Sequence, residues 1–271
     1  MVHAMKLWKY IPIVISLSCI DLITQKTLYN SLYFQGGGWI EIAPLDSMKM
    51  ATAANDFTLQ FWVSGGEVDT NKAPALFSIV DSTDKTTLAL LRDINKQDKI
   101  TTVINTRVIN SDVNGLEWSD PENFYLISIL FSDNSNVKIY VDSNAVSIDV
   151  EDKINLAGEI LVVGARANKD RTILENFWYG YIDEIRLWNT ILTDSTIKFQ
   201  SEHPDKLGDN YRHTDGNGNE ISTYLDSLIG IWRFNLATPN TTIEDESDFN
   251  NDGIIYTLEG YSVELSEKGV Q

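Results

Sequence analysis

The segment Asp56–Val63, DFTLQFWV, alternates Phe57, Leu59, Phe61 and Val63 with Thr58, Gln60 and Trp62. A period of two puts the first set on one face of a β-strand and the second on the other. Comparable runs recur along the chain: LYNSLYF, GWIEIAP, ALFSIVD, TTLALLRD, KITTVINTRVI, FYLISILF, VKIYV, EILVVGA, WYGYIDEIRLWN, LIGIWRFN and GIIYTL. Polar turn material separates them: Gly36-Gly37-Gly38, DSTDKT, INKQDK, Ser132–Asn136 and Asp142-Ser143-Asn144. Many short strands punctuated by turns specify an all-β chain, a sandwich or a barrel. One helix is expected, from Asp194 to about Gln200, with Thr193 as its cap and Asp194 in its first turn. The length of 271 residues suits one large β domain or two small ones.

The N-terminus reads differently. Lys6 and Lys9 precede an apolar run from Ile11 to Leu17, followed by Ser18 and Cys19. A charged and then apolar stretch of this length has the layout of a secretory signal and is too short for a permanent membrane span. Cys19 is the only cysteine, so no intramolecular disulfide can form. Its place just after the apolar run resembles a bacterial lipoprotein signal, which implies lipidation of Cys19 and a membrane anchor, although Ser16 and Leu17 stand where leucine and a small residue are usual. The expected organisation is a signal at 1–18, a tether at 19–27 and one domain at 28–265. The formal charge is −18. It becomes −20 without residues 1–18, which hold Lys6 and Lys9 and no acid. Such a surface excludes binding to a nucleic-acid backbone, which needs a basic face. It suits a secreted protein in a calcium-containing medium.

The stretch GYIDEIRLWNTILTDSTI resembles the signature of laminin-G-like, concanavalin A-like jelly-roll domains, with Gly180, Ile182, Asp183, Glu184, Arg186, Trp188, Asn189 and Leu192 matching it. SLYFQGGGWIEI, DFTLQFWV and NFYLISILFSDNSNVKIYVDSNAV resemble the early strand pair, the next strand and the long hairpin of that family. LIGIWRFN with IEDESDFNNDGIIY resembles the family's opening element but stands near the end. Residues 225–258 are therefore expected to close the same sandwich in permuted order; the alternative is the start of a second module. The resemblance implies a two-sheet antiparallel jelly roll with one short helix after the closing strand. That fold hosts lectins, adhesion modules and enzymes alike, so it does not by itself give the function.

Asp183 interrupts an apolar strand. Simple alternation groups it with Tyr181, Ile185 and Leu187, facing the core edge, and sets Ile182, Glu184, Arg186 and Trp188 on a partly solvated face. A carboxylate so placed needs a cation or hydrogen-bond donors. The two readings are a structural calcium, which takes several oxygen ligands, and a neighbouring loop donating backbone N–H groups. The resemblance implies companions for a calcium in IEDESDFNNDG: Asp245, Asp248, Asn250 and Asp252. Asp215, Asn217 and Asn219 in DGNGNE look like half of an EF-hand loop without its glycine and distal glutamate.

Catalytic constellations are sparse. The histidines are His3, His203 and His213, and no H-E-x-x-H, G-x-S-x-G or P-loop occurs. No strand carries the alternating acids that would flank a glycosidic bond. The expected function is a non-catalytic surface module binding carbohydrate, with adhesion to a protein partner as the alternative and a glycoside-active enzyme behind both. Trp39, Trp62, Trp188 and Trp232 are expected to pack. Trp118, in NGLEWSDPENF, is the expected exposed sugar anchor, beside Asn114 and Glu117. Trp178 and Tyr179 are weaker candidates.

Overall fold

A computed structural model describes residues 30–42, 56–66, 73–80, 86–93, 99–104, 107–112, 116–132, 136–149, 160–167, 172, 174–204, 206–207, 213–214, 220–221, 227–234 and 242–270. The expected signal and tether, Cys19 included, lie outside them.

Two antiparallel sheets form a jelly-roll sandwich. The first, of eight strands, runs β10 (Asn144–Asp149), β9 (Asn136–Val141), β8 (Tyr125–Ser132), β3 (Phe57–Gly65), β14 (Tyr179–Trp188), β1 (Ser31–Gln35), β20 (Val263–Ser266), with β17 (Leu228–Arg233) also paired to β14. The second, also of eight, runs β18 (Thr242–Ile243), β19 (Gly253–Thr257), β2 (Gly38–Ile42), β11 (Ile160–Val163), β4 (Ala75–Val80), β5 (Thr86–Arg92), β6 (Lys99–Ile104), β7 (Arg107–Asp112). Two short hairpins, β12 (Arg166–Ala167) with β13 (Leu174–Glu175) and β15 (His213–Thr214) with β16 (Glu220–Ile221), form two-stranded sheets of their own.

The alternation in DFTLQFWV becomes the core. Phe57, Leu59, Phe61 and Val63 point between the sheets, where Phe61 stacks on Phe77 at 5.1 Å. The opposite face of β3 is buried as well. Helix α1 (Asp194–Glu202) lies over it, capped by Thr193 Oγ1 accepting from the Thr196 N–H at 3.2 Å. Gln60 donates to Gln200 Oε1 at 2.7 Å and to Ser128 Oγ at 3.0 Å, and accepts from Trp188 Nε1 at 2.8 Å. Closing this buried network satisfies polar groups that would otherwise oppose docking of the helix.

The C-terminal strands belong to the same sandwich. β17 pairs with β14, β19 with β2, and β20 with β1. Trp232 and Phe234 are consequently buried in the shared core. β1 passes to β2 through Gly36 and Gly37, which switches the chain between sheets. Gly36 has φ 87°, and a Cβ at Gly37 would fall 2.1 Å from the Tyr261 ring. Glycine is therefore required at this corner.

β1 and β17 occupy the same side of β14, end to end. β1 pairs with residues 179–182 and β17 with 184–188. On the other side, β3 runs past a register shift between Ile182 and Glu184. Asp183 sits at this bulge and at the handover between the two strands.

Candidate functional site

Trp118 is fully buried, which corrects the expectation of an exposed anchor. Its ring meets Trp178 edge-on at 5.5 Å, and its Nε1 donates to the Lys99 carbonyl at 3.2 Å. Gly65 lies beneath it; a Cβ there would fall 1.9 Å from the Trp118 carbonyl oxygen. Trp178 is buried too and Tyr179 half-buried. The strand tryptophans Trp39, Trp62, Trp188 and Trp232 all pack, as expected. Glu117 is exposed, with its N–H donating to Tyr125 Oη at 3.0 Å. Asn114 lies outside the described residues.

The loop containing Trp118 nevertheless reaches a groove, through other residues. Asp120 accepts from the Glu122 N–H at 3.0 Å and from Asn123 Nδ2 at 2.7 Å, a local turn that sets Glu122 and Phe124. Together with Glu267, Lys268, Gly269 and Val270 they line a groove of about 410 Å³. That is the size range of small-ligand sites, roughly 300–1,000 Å³. Beside it is an aromatic cluster on the outer face of the first sheet. Tyr33 and Tyr181 are cross-strand partners with ring centroids 4.7 Å apart, and Phe124 lies 6.3 Å from Tyr181. All three rings are half-buried. Lys268 Nζ sits 5.2 Å above the Tyr181 ring and is ion-paired with Glu122. The hydrogen bond to Glu122 raises the Lys268 pKa.

Asp183 lies next to this cluster but does not line the groove. It is 3% exposed, and its Oδ2 accepts from the Val270 N–H at 2.6 Å. Burial pushes its pKa up to about 7, against the lowering effect of the Val270 bond. Simple parity fails here because the bulge adds one residue: Ile182, Ile185 and Leu187 all enter the same core. Asp183 therefore does not share the alternation of Ile185 and Leu187. Nor is the face carrying Glu184 and Arg186 solvated. Both are buried, and Glu184 bridges Arg186 and Arg233.

The acidic loop after β18 is closed on itself. Asp245 accepts four hydrogen bonds: Oδ1 from the Ile231 and Ser247 N–H groups, both at 2.9 Å, and Oδ2 from Ser247 Oγ at 2.8 Å and the Asn251 N–H at 2.9 Å. Asp252 Oδ1 accepts from the Asp245 N–H at 2.9 Å. A carboxylate has about four lone-pair sites, and the loop's own donors occupy those of Asp245. Asp248 and Asn250 are exposed, and Asn250 supplies the positive φ, 55°, that lets the loop turn. Among the described residues no group of three or more His, Cys, Asp or Glu is placed to hold a metal. The five expected calcium ligands, Asp183, Asp245, Asp248, Asn250 and Asp252, are thus not gathered into one site. The two buried carboxylates instead accept backbone N–H bonds. Asp215, Asn217 and Asn219 lie outside the described residues.

Glu122, Phe124, Tyr33, Tyr181, Glu267 and Lys268 were not singled out by the sequence. Period two does place Tyr33 outward between the buried Leu32 and Phe34. Its meeting with Tyr181 depends on pairing across about 150 residues, which no local pattern reveals.

Among solved structures, the chain is similar to a putative carbohydrate-binding protein from Bacteroides ovatus: TM-score 0.53, 13% identity, 86% of this chain covered and 61% of that one. It is also similar to the native heptameric SAP-like pentraxin from Limulus polyphemus: TM-score 0.51, 12% identity, 66% of this chain and 84% of that one. A third match is the Ruminococcus gnavus IT-sialidase CBM40 bound to α2,3-sialyllactose: TM-score 0.49, 9% identity, 64% of this chain and 98% of that one. At these identities the likeness to the first two is one of fold. A search of curated proteins found no match. The profile of Laminin_G_3, described as the concanavalin A-like lectin/glucanases superfamily, matches residues 34–198. With more than half its length matched and its two sheets arranged as a jelly roll, the chain belongs to the Laminin_G_3 family of the concanavalin A-like lectin/glucanase superfamily.

Proposed function

We propose that this protein is a non-catalytic carbohydrate-binding module, held at the cell surface through lipidated Cys19. The observation that carries the reading is the aromatic cluster of Tyr33, Tyr181 and Phe124 beside a groove lined by Glu122, Glu267 and Lys268. A pyranose offers a C–H face that packs on aromatic rings and a rim of hydroxyls that both donate and accept hydrogen bonds. The groove supplies carboxylate acceptors, one ammonium donor and the Gly269–Val270 backbone. The carboxylate with the strongly raised pKa, Asp183, is covered by Val270 and lies apart from the groove lining, so it is not poised as an acid for a bound sugar.

The test is binding of the full chain to immobilised oligosaccharides, with Phe124→Ala as the groove variant. One lost stacking contact, worth about 0.5–1.5 kcal/mol, should weaken binding several-fold at a stability cost under about 1 kcal/mol. Glycan binding indifferent to Phe124→Ala would move the site elsewhere, and no glycan binding at all would remove the reading.

A second reading has its own support. Ile254, Leu258 and Tyr261 are exposed along β19 and the turn after it. Exposed apolar side chains in one stretch suit a protein partner. Binding lost with Ile254→Ser but not Phe124→Ala would favour adhesion.

A further inference from the structure

The charges around the groove are unbalanced. Glu122 and Glu267 line it, and Asp120 lies close enough to act on Lys268 through its charge. The described cation among the lining residues is Lys268, and it is already engaged by Glu122 and by the Tyr181 ring. Among the described groove residues two carboxylates thus face one ammonium, and that ammonium is already paired with one of them. Carboxylates only accept hydrogen bonds, so a lining of this kind needs a ligand rich in donors. The background has the same sign, since the chain carries a formal charge of −18. A negatively charged ligand meets repulsion over the whole approach as well as at the site.

Resting on the carbohydrate reading of this groove, we infer that it selects uncharged saccharides, presenting hydroxyls to Glu122 and Glu267, and rejects glycans that carry carboxylate or sulfate. The selectivity is electrostatic exclusion by the groove's own acids, with stacking on Phe124 common to both ligand classes. Rejection of an unwanted ligand by misplaced like charge is an established way to obtain specificity without tighter binding to the wanted one.

The experiment compares the full chain on matched pairs of immobilised oligosaccharides, each neutral glycan beside its sialylated and its sulfated form, at low and high salt. Neutral glycans should bind at least tenfold better than their acidic partners at low salt. High salt should narrow that gap while leaving neutral binding within about twofold, because screening acts only on the charged pairs. The double variant Glu122→Gln/Glu267→Gln frees Lys268 and removes two like charges, so acidic forms should gain at least fivefold. Acidic glycans binding as well as neutral ones, in a manner lost with Phe124→Ala, would overturn the inference and leave the groove as a sugar site. Glycan binding by either class that is indifferent to Phe124→Ala would overturn the assignment to this groove, and no glycan binding at all would overturn the carbohydrate reading itself.

Discussion

Asp183 Oδ2 accepts the Val270 N–H at 2.6 Å, at the bulge where β1 gives way to β17 along β14. One buried carboxylate thereby ties the segment after β20 to the strand handover. Burial favours its neutral form, and its pKa rises from the ordinary 3.8 to about 7. A folded-state pKa above the unfolded value means the native state binds the proton more tightly. The stability from protonation is full below about pH 4, declines as pH rises towards 7, and is gone above that. Asp183→Asn keeps an acceptor for Val270 and removes the ionisation. Urea unfolding should therefore show Asp183→Asn gaining on wild type as pH rises from 4 to 8. The gain should reach about 2–4 kcal/mol, given roughly 1.4 kcal/mol per pKa unit. A pH-independent difference between the two proteins would show that Asp183 does not titrate in this range.

The loop Leu116–Phe124 divides its labour between Trp118, facing in, and Phe124, beside the groove. Trp118→Ala should cost about 3–5 kcal/mol, the usual range for truncating a buried aromatic. Phe124→Ala should cost under about 1 kcal/mol while reducing glycan binding. Denaturant midpoints and binding isotherms on both variants separate the two roles. Equal destabilisation by the two would show that Phe124 is part of the core.

Most of the sandwich was legible because period-two alternation is a local signal. Phe57, Leu59, Phe61 and Val63 all entered the core, and the Thr193 cap placed the helix start correctly. For Asp183 the hydrogen-bonded reading holds, through the Val270 N–H, but simple alternation misplaces it because a bulge shifts parity by one residue and leaves no mark in composition. The charges of Glu184 and Arg186 predict a solvated face; their burial as a pair depends on Arg233 and on the covering after helix α1. The polar loop around Trp118 predicts exposure. Its burial depends on Trp178 and the Lys99 carbonyl, both distant in sequence. The groove escaped for the same reason: it joins Phe124 to Lys268, residues that only the closed sandwich brings together.

Asp245 organises its loop with four accepted hydrogen bonds, three of them from backbone N–H groups. Asp245→Ala strands those donors, and Asp245→Asn retains only part of the set. At about 1–3 kcal/mol for each buried group left unsatisfied, with relaxation recovering some of it, a loss of about 3 kcal/mol is expected for the alanine variant. The loss should be the same in excess calcium and in EDTA. A midpoint that rises with calcium in wild type and not in Asp245→Ala would establish a cation at this loop.

Glu184 is shared between two arginines, and Arg233 passes the chain of charges on to Glu246 at 3.1 Å. Arg186 is 1% exposed, so its charge depends on Glu184 and on the Pro204 carbonyl at 3.1 Å. Removing one partner of a buried pair leaves an uncompensated charge and costs about 3–5 kcal/mol, more than the pair itself contributes. Glu184→Gln should therefore destabilise far more than Glu246→Gln, whose carboxylate is at the exposed end and whose loss should cost under about 1 kcal/mol. The double variant Glu184→Gln/Arg186→Met should recover part of the loss, because no buried arginine then lacks its partner. Urea unfolding of the three variants decides it: a double variant no more stable than Glu184→Gln would mean that packing of the glutamate, and not its charge, holds β14 to β17.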